Sequence, residues 1–197
     1  MKRIRQLWTL ARHFGRVRNS LSTLADLYSG GTEQSALGGL TAEEIDWLSG
    51  RVRAAGAKTV VEIGTLFGFT ARRIRRDCPQ TRVIAVDNFC WNPFGLPADA
   101  HERFARSVLD GSGVELVNGD AEAYLADRLA GAEVVCLDGD HRYEAVRREI
   151  ELVRRSGARW LSGHDYGNPL FGVTRAVDEA FGRSDATGGM CWIKELK

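Results

Sequence analysis

Two short stretches concentrate the residue types that move protons or hold cations. The first is Asp138-Gly139-Asp140-His141, with Tyr143 close behind; the second is His164-Asp165-Tyr166. Carboxylates suit hard cations such as magnesium, which keeps several waters and takes a bidentate partner. An imidazole titrates near neutral pH, so His141 suits removal of a hydroxyl proton. Together the stretches read as a metal site, an acid–base site, or both. No Ser–His or Cys–His pairing suggests a covalent intermediate.

A third stretch, KTVVEIGTLFGFT at 58–70, has a different chemistry. An apolar run (Thr59, Val60, Val61, Ile63) is interrupted by Glu62; then come Gly64, a bend, Gly68, and Thr70 at the head of ARRIRR. This reads as strand, glycine turn and helix N-terminus, a unit that brings backbone N–H groups close to a ligand. The spacing is Gly-x-x-x-Gly, with Leu66 where a dinucleotide fingerprint has its second glycine, so the pyrophosphate form of the motif is imperfect. Asp87 follows Gly64 by 23 residues, close to the spacing at which an acid accepts hydrogen bonds from ribose hydroxyls. Asp120, in Gly119-Asp120-Ala121, is a carboxylate able to take an adenine amino group.

The elements that must position these residues alternate. Strands are expected at about 58–63, 81–87, 114–121, from 132 to the Asp138 cluster, and at 158–163. Helices are expected at 70–77 (stopped by Pro79), 98–110, 122–130, from Glu144 onward with Val146, Ile150 and Val153 on one side, and at 172–182. Thr41 and Glu44 form a capping box for a helix at 42–55. The chain closes with an alternating strand at about 190–196. The loop at 88–97 places Trp91 and Phe94 either against a ligand or over the core. Five strand–helix alternations predict an α/β fold: a doubly wound, Rossmann-like, mostly parallel sheet with a C-terminal antiparallel edge strand. Ligands in such sheets lie outside the carboxyl ends of the strands. Gly64, Asp87, Asp120, Asp138–His141 and His164–Asp165 all fall at such ends.

Size and composition set bounds. The 197 residues suit one domain, with 44% hydrophobic and 27% charged residues, and the net charge of +1 gives no global pull toward nucleic acid. Four scattered cysteines without a Cys-x-x-Cys pair fit a reduced, cytoplasmic protein. No secretory leader or membrane span is expected. Residues 1–40 read as a helical extension and a flexible loop, and 41–197 as the ligand-binding domain. In the extension, Ile4, Leu7, Trp8, Ala11, Phe14 and Val17 recur at helical spacing, with six basic residues against Asp26. A membrane-surface helix, a lid over the site, and a helix packed on the domain or a dimer partner all remain open readings.

Glu-x-Gly-x-x-x-Gly-x-Thr resembles the first motif of class I S-adenosylmethionine (SAM)-dependent methyltransferases, and Gly119-Asp120-Ala121 resembles their adenine-contacting motif. Asp-Gly-Asp-His-x-Tyr followed by Gly-His-Asp-Tyr-Gly resembles a subgroup of macrocin-type and cephalosporin-hydroxylase-like O-methyltransferases, over roughly residues 38–182. The resemblance implies a SAM site at Glu62, Gly64, Thr65, Gly68, Thr70, Asp87, Asn88, Asp120, Ala121 and Asp138. It also implies His141 as base beside Asp138, and Asp138, His164 and Asp165 as metal ligands. His164 stands where relatives carry a carboxylate or amide, which leaves two readings: a softer ion such as zinc, iron or nickel in place of magnesium, or no metal, with His141 and His164 sharing the proton work. The expected reaction is methyl transfer to a hydroxyl of a small-molecule acceptor, a sugar or natural product. A non-catalytic SAM-binding scaffold, a nicotinamide-dependent oxidoreductase, and a homodimer are the readings carried beside it.

Overall fold

The computed structural model describes residues 39–91, 97–183 and 187–196. The expected N-terminal helices, nearly all of the Gly/Ser-rich loop after them, and Phe94 lie outside the described residues.

Helix α1 (Ala42–Ala54) starts on the predicted capping box: the Thr41 hydroxyl accepts the Glu44 N–H at 3.2 Å, and the Glu44 carboxylate accepts the Thr41 N–H at 2.8 Å. There follow β1 (Thr59–Ile63), α2 (Phe69–Asp77), β2 (Arg82–Asp87), α3 (Ala98–Leu109), β3 (Glu115–Asn118) and α4 (Ala121–Asp127). The second half contains β4 (Val134–Leu137), α5 (Tyr143–Ser156), β5 (Trp160–Gly163), α6 (Val173–Phe181), β6 (Thr187–Gly188) and β7 (Cys191–Glu195).

The sheet order is β3-β2-β1-β4-β5-β7-β6, with β1 to β5 parallel and β7 antiparallel to β5. This is the predicted doubly wound α/β sheet with one refinement. The expected edge strand, β7, lies inside the two-residue β6, which caps the antiparallel edge. A two-residue strand carries too little pattern to be read from sequence.

Buried parallel strands alternate between two cores. Val60, Val83, Ala85 and Val134 face α1 and α2, where Ile45, Leu48, Val52, Ala71 and Ile74 cover them. Val61, Ile63, Ile84, Val86 and Val135 face the other way, against Leu125, Val146, Ile150, Val153 and Val177 of α4, α5 and α6. Glu62, in register with Ala85 and Cys136, is placed by the same alternation on the α1–α2 face. The strand order reverses between β1 and β4, which opens the crevice where such folds take their ligands. Among the described residues, no helix is long and apolar enough to cross a membrane.

Candidate active site

Three non-glycine residues among those described have positive φ: Leu66 (51°), Phe89 (55°) and Asp165 (60°). All three follow the carboxyl ends of strands β1, β2 and β5. Backbone held in this sparsely occupied region is kept there by its surroundings, and it gathers at functional sites.

The half of the site at β1, β2 and β3 is built mainly from backbone. Gly64 (φ 83°) donates its N–H to the Val86 carbonyl at 2.8 Å, and a Cβ there would lie 2.2 Å from the Asp138 carbonyl oxygen. Only glycine lets the ends of β1 and β4 meet this closely. Asp87 then fastens the turn. Its Oδ2 accepts the Leu66 N–H at 2.8 Å and its Oδ1 accepts the Phe89 N–H at 2.7 Å. Gly68 (φ 82°) turns the chain into α2, where Thr70 is buried. Asp120 caps α4, its Oδ1 accepting the Ala123 N–H at 2.9 Å, and Ala121 begins that helix. Asn88 accepts the Cys90 N–H at 3.0 Å.

Glu62 sits behind the turn. It is buried and accepts a hydrogen bond from the Thr65 hydroxyl. Burial pushes its carboxyl up to about 8, against the pull of Thr65 and with the push of Asp138 and Asp87. It is therefore largely protonated at neutral pH.

The half at β4 and β5 is built from side chains. His141 Nε2 lies 3.1 Å from Asp165 Oδ2 and 3.4 Å from Asp138 Oδ1; His164 Nδ1 lies 3.4 Å and 3.6 Å from the same two oxygens. The predicted Asp138, His141, His164 and Asp165 thus converge. Asp138, His141 and Asp165 offer ligand atoms within 4.8 Å of one another, a spacing one metal ion can bridge. Asn168 donates to Asp165 Oδ1 at 2.8 Å, and the Gly172 N–H donates to the His141 carbonyl at 2.9 Å.

The electrostatics follow. Burial alone would lower both imidazoles. For His141 the Asp138 and Asp165 carboxylates outweigh it and raise the pKa above the usual value. For His164 the surrounding Asp165, Asp138 and Glu44 carry the pKa to about 9. Burial raises Asp138, against the pull of the two histidines. It works the same way on Asp165, but there His164 and Asn168 win and hold the carboxyl low.

Other residues of the two sequence clusters turn away. Asp140 accepts the Arg142 N–H and guanidinium, Tyr143 donates to Glu179 at 2.5 Å, and Tyr166 donates to Asp178 at 2.7 Å. Of the aromatic loop, Trp91 is exposed and Phe89 is buried.

Three residues near the site escaped the sequence reading. The Phe171 ring stacks on His141 with centroids 4.6 Å apart. His101 is buried on α3, with Nε2 3.0 Å from the Leu66 carbonyl. A carbonyl only accepts, so that nitrogen carries a proton. Burial outweighs Asp87 and Leu66 and holds its pKa below the usual value. Its helical spacing to Phe104, Ala105 and Val108 was the available signal for its burial. Glu44 is buried on α1 with Oε2 3.3 Å from His164 Nε2. The capping box had already explained Glu44, so nothing local gave a reason to look further.

Residues 61–166, more than half of the chain, match a family described as a methyltransferase domain. No curated protein matches. Among solved structures, a cofactor-bound protein from MTB superposes with a TM-score of 0.61 at 21% identity, covering 89% of this chain and 95% of that one. An O-methyltransferase from Bacillus cereus in complex with SAH gives 0.58 at 17% identity, covering 79% and 80%. The O-methyltransferase TomG from Streptomyces achromogenes, involved in tomaymycin synthesis and in complex with SAM, gives 0.57 at 19% identity, covering 79% of each chain. At these identities the superpositions speak for a shared fold. With the family match across the strand ends that carry the site, the chain belongs to the methyltransferase-domain family.

Proposed function

We propose that this methyltransferase uses SAM to methylate a hydroxyl of a small molecule, with His141 as the base. The observation that carries this is the pairing of a backbone-built turn fastened by Asp87 with an imidazole–carboxylate cluster across the β1–β4 crevice.

The chain offers SAM what its parts require. The Asp87 carboxylate ends β2 where ribose hydroxyls would be accepted, and Asp120 ends β3 where an adenine amino group would donate. Glu62, Gly64, Thr65, Gly68 and Thr70 form the turn and its support, with Asn88, Ala121 and Asp138 on its borders. SAM, when bound, supplies a sulfonium methyl for direct displacement by the acceptor oxygen. The protein's tasks are to align that oxygen, exclude water and accept one proton. His141 takes the hydroxyl proton on the ring nitrogen turned away from the carboxylates, and Asp138 and Asp165, facing Nε2, stabilise the imidazolium that forms. Phe171 covers one face of the ring and limits water there.

Asp138, His164 and Asp165 fit a divalent cation. Among the described residues, neither buried His164 nitrogen finds a hydrogen bond of ordinary geometry, and Nδ1 faces the two carboxylates. A cation bound there would acidify the acceptor hydroxyl and fix its direction.

Calorimetric titration with SAM, and separately with NADH, tests the cofactor reading. Micromolar SAM binding without NADH binding is expected; NADH binding without SAM binding overturns the reading. S-adenosylhomocysteine release in the presence of hydroxylated small molecules then separates an enzyme from a SAM-binding scaffold.

A further inference from the structure

Glu44 is a buried carboxylate in a place that helix capping alone does not require. Its Oε2 accepts the Thr41 N–H and its Oε1 accepts the Met190 N–H, each at 2.8 Å. The turn between β6 and β7 is shaped to receive it: a Cβ on Gly189 would lie 2.5 Å from Glu44 Oε1. The Met190 carbonyl in turn accepts the Tyr166 N–H at 3.0 Å, just beyond Asp165. The carboxylate thus joins α1, the β6–β7 turn and the end of β5. Burial works to raise its pKa, but the Met190 and Thr41 N–H groups and His164 hold it below the usual value.

The remaining neighbour is His164. One edge of its ring, Nε2, faces Glu44 at 3.3 Å; the other, Nδ1, faces Asp138 and Asp165. The side chain is 6% exposed, and among the described residues neither nitrogen completes a hydrogen bond of ordinary geometry. A histidine that holds a metal gives its second nitrogen to a carboxylate, which fixes the tautomer and the ring direction. Imidazole favours zinc-class ions over magnesium.

We propose that Glu44 is a positioning residue: its carboxylate holds the Nε2 edge of His164, so that Nδ1 joins Asp138 and Asp165 in binding a zinc-class divalent cation. This rests on the metal-ligand reading given above. His141 is more open, at 26% exposed, and stays available for the acceptor's proton. The chemistry divides the two histidines by what stands behind each: a carboxylate behind His164, and the Phe171 face beside His141.

The test is titration of the purified full chain with zinc and, separately, with magnesium, for the natural protein and for Glu44→Ala, Glu44→Gln, Thr41→Ala and His164→Ala. Zinc is expected to bind more tightly than magnesium. Glu44→Ala should weaken zinc about 10–100-fold. Glutamine keeps the capping box, so Glu44→Gln covers the case in which the alanine variant does not fold; it too should weaken zinc. Thr41→Ala removes the other half of the cap without touching His164 and should leave zinc affinity within about twofold, while His164→Ala should abolish the tight site. Cobalt, used as a spectroscopic stand-in, should show visible bands of a four-coordinate ion that are altered in Glu44→Gln and unchanged in Thr41→Ala. The proposal is overturned if magnesium binds as well as zinc, if no ion binds, if the Glu44 variants bind like the natural chain, or if Thr41→Ala has the same effect as Glu44→Ala. SAM titration of the same samples keeps the two readings apart. Loss of SAM binding in the natural chain would sink the methyl-transfer reading, whereas the order of zinc affinities judges Glu44.

Discussion

The two halves of the crevice use different materials. At β1, β2 and β3, one carboxylate and a set of backbone N–H groups shape a turn. At β4 and β5, two imidazoles and two carboxylates face one another and shift one another's pKa values. The first half is suited to holding a ligand whose shape does not change in the reaction. The second is suited to a proton whose position must change. The contrast shows that a single sheet edge can carry a backbone-built half beside a side-chain-built half, because each strand end contributes its own backbone and charge.

Substitution at His141 should break this division most sharply. His141→Ala is expected to lower methyl-transfer turnover by about 10²–10⁴-fold, while SAM affinity measured by calorimetry stays within about twofold. Equal losses in both would mean that the halves are not separable.

Gly64→Ala strikes the seam between them. The added Cβ meets the Asp138 carbonyl and the residue must hold φ at 83°. A loss of roughly 3 kcal/mol or more is expected in denaturant unfolding.

Two buried carboxyls, one behind the turn and one on α5, give the fold a pH signature. Glu62 behind the turn and Glu149 on α5 are both pushed up to about 8, chiefly by burial, and Glu149 Oε2 has no hydrogen-bond partner among the described residues. The folded pKa lies above the unfolded value of 4.5, so the fold keeps protons that the unfolded chain releases. The stability each group contributes is full below pH 4.5 and is lost as the pH rises to 8. Each accounts for at most about 5 kcal/mol over that range. Glu149→Gln should flatten its share and leave that of Glu62; unfolding curves at several pH values check this.

Asp87→Asn is the gentler probe of the binding half. One oxygen remains to accept a backbone N–H, and the charge is lost. SAM affinity should fall about tenfold, in line with the worth of a charge-assisted hydrogen bond, and turnover at saturating SAM should change little. A fall in turnover alone would place Asp87 in the wrong half.

Much of this was legible in the chain. The capping box at Thr41, the period-two alternation of Val60 and Val61, and the glycine turn before α2 are local patterns whose physics acts within a few residues. The spacing from Gly64 to Asp87 is also short-range, because one helix and one strand fix it. The cluster of Asp138, His141, His164 and Asp165 followed from strand ends alone, since neighbouring parallel strands deliver those ends to one edge.

Trp91 and Phe89 were beyond reach of such reasoning. Two aromatics in one loop have the same propensity, and only the packing of Phe89 against His101, ring centroids 5.1 Å apart, decides which is buried. The sequence by itself determined the alternation, the crevice and the residue types at its rim, because these depend on periodicity and on strands that pair in parallel. Only the tertiary structure decided that Glu44 reaches His164, that Asp140, Tyr143 and Tyr166 bond away from the cluster, and that a two-residue strand lies outside β7. The Glu44 to Met190 hydrogen bond spans 146 residues of chain. A contact of that length leaves no trace in local spacing and exists only once the layers have packed.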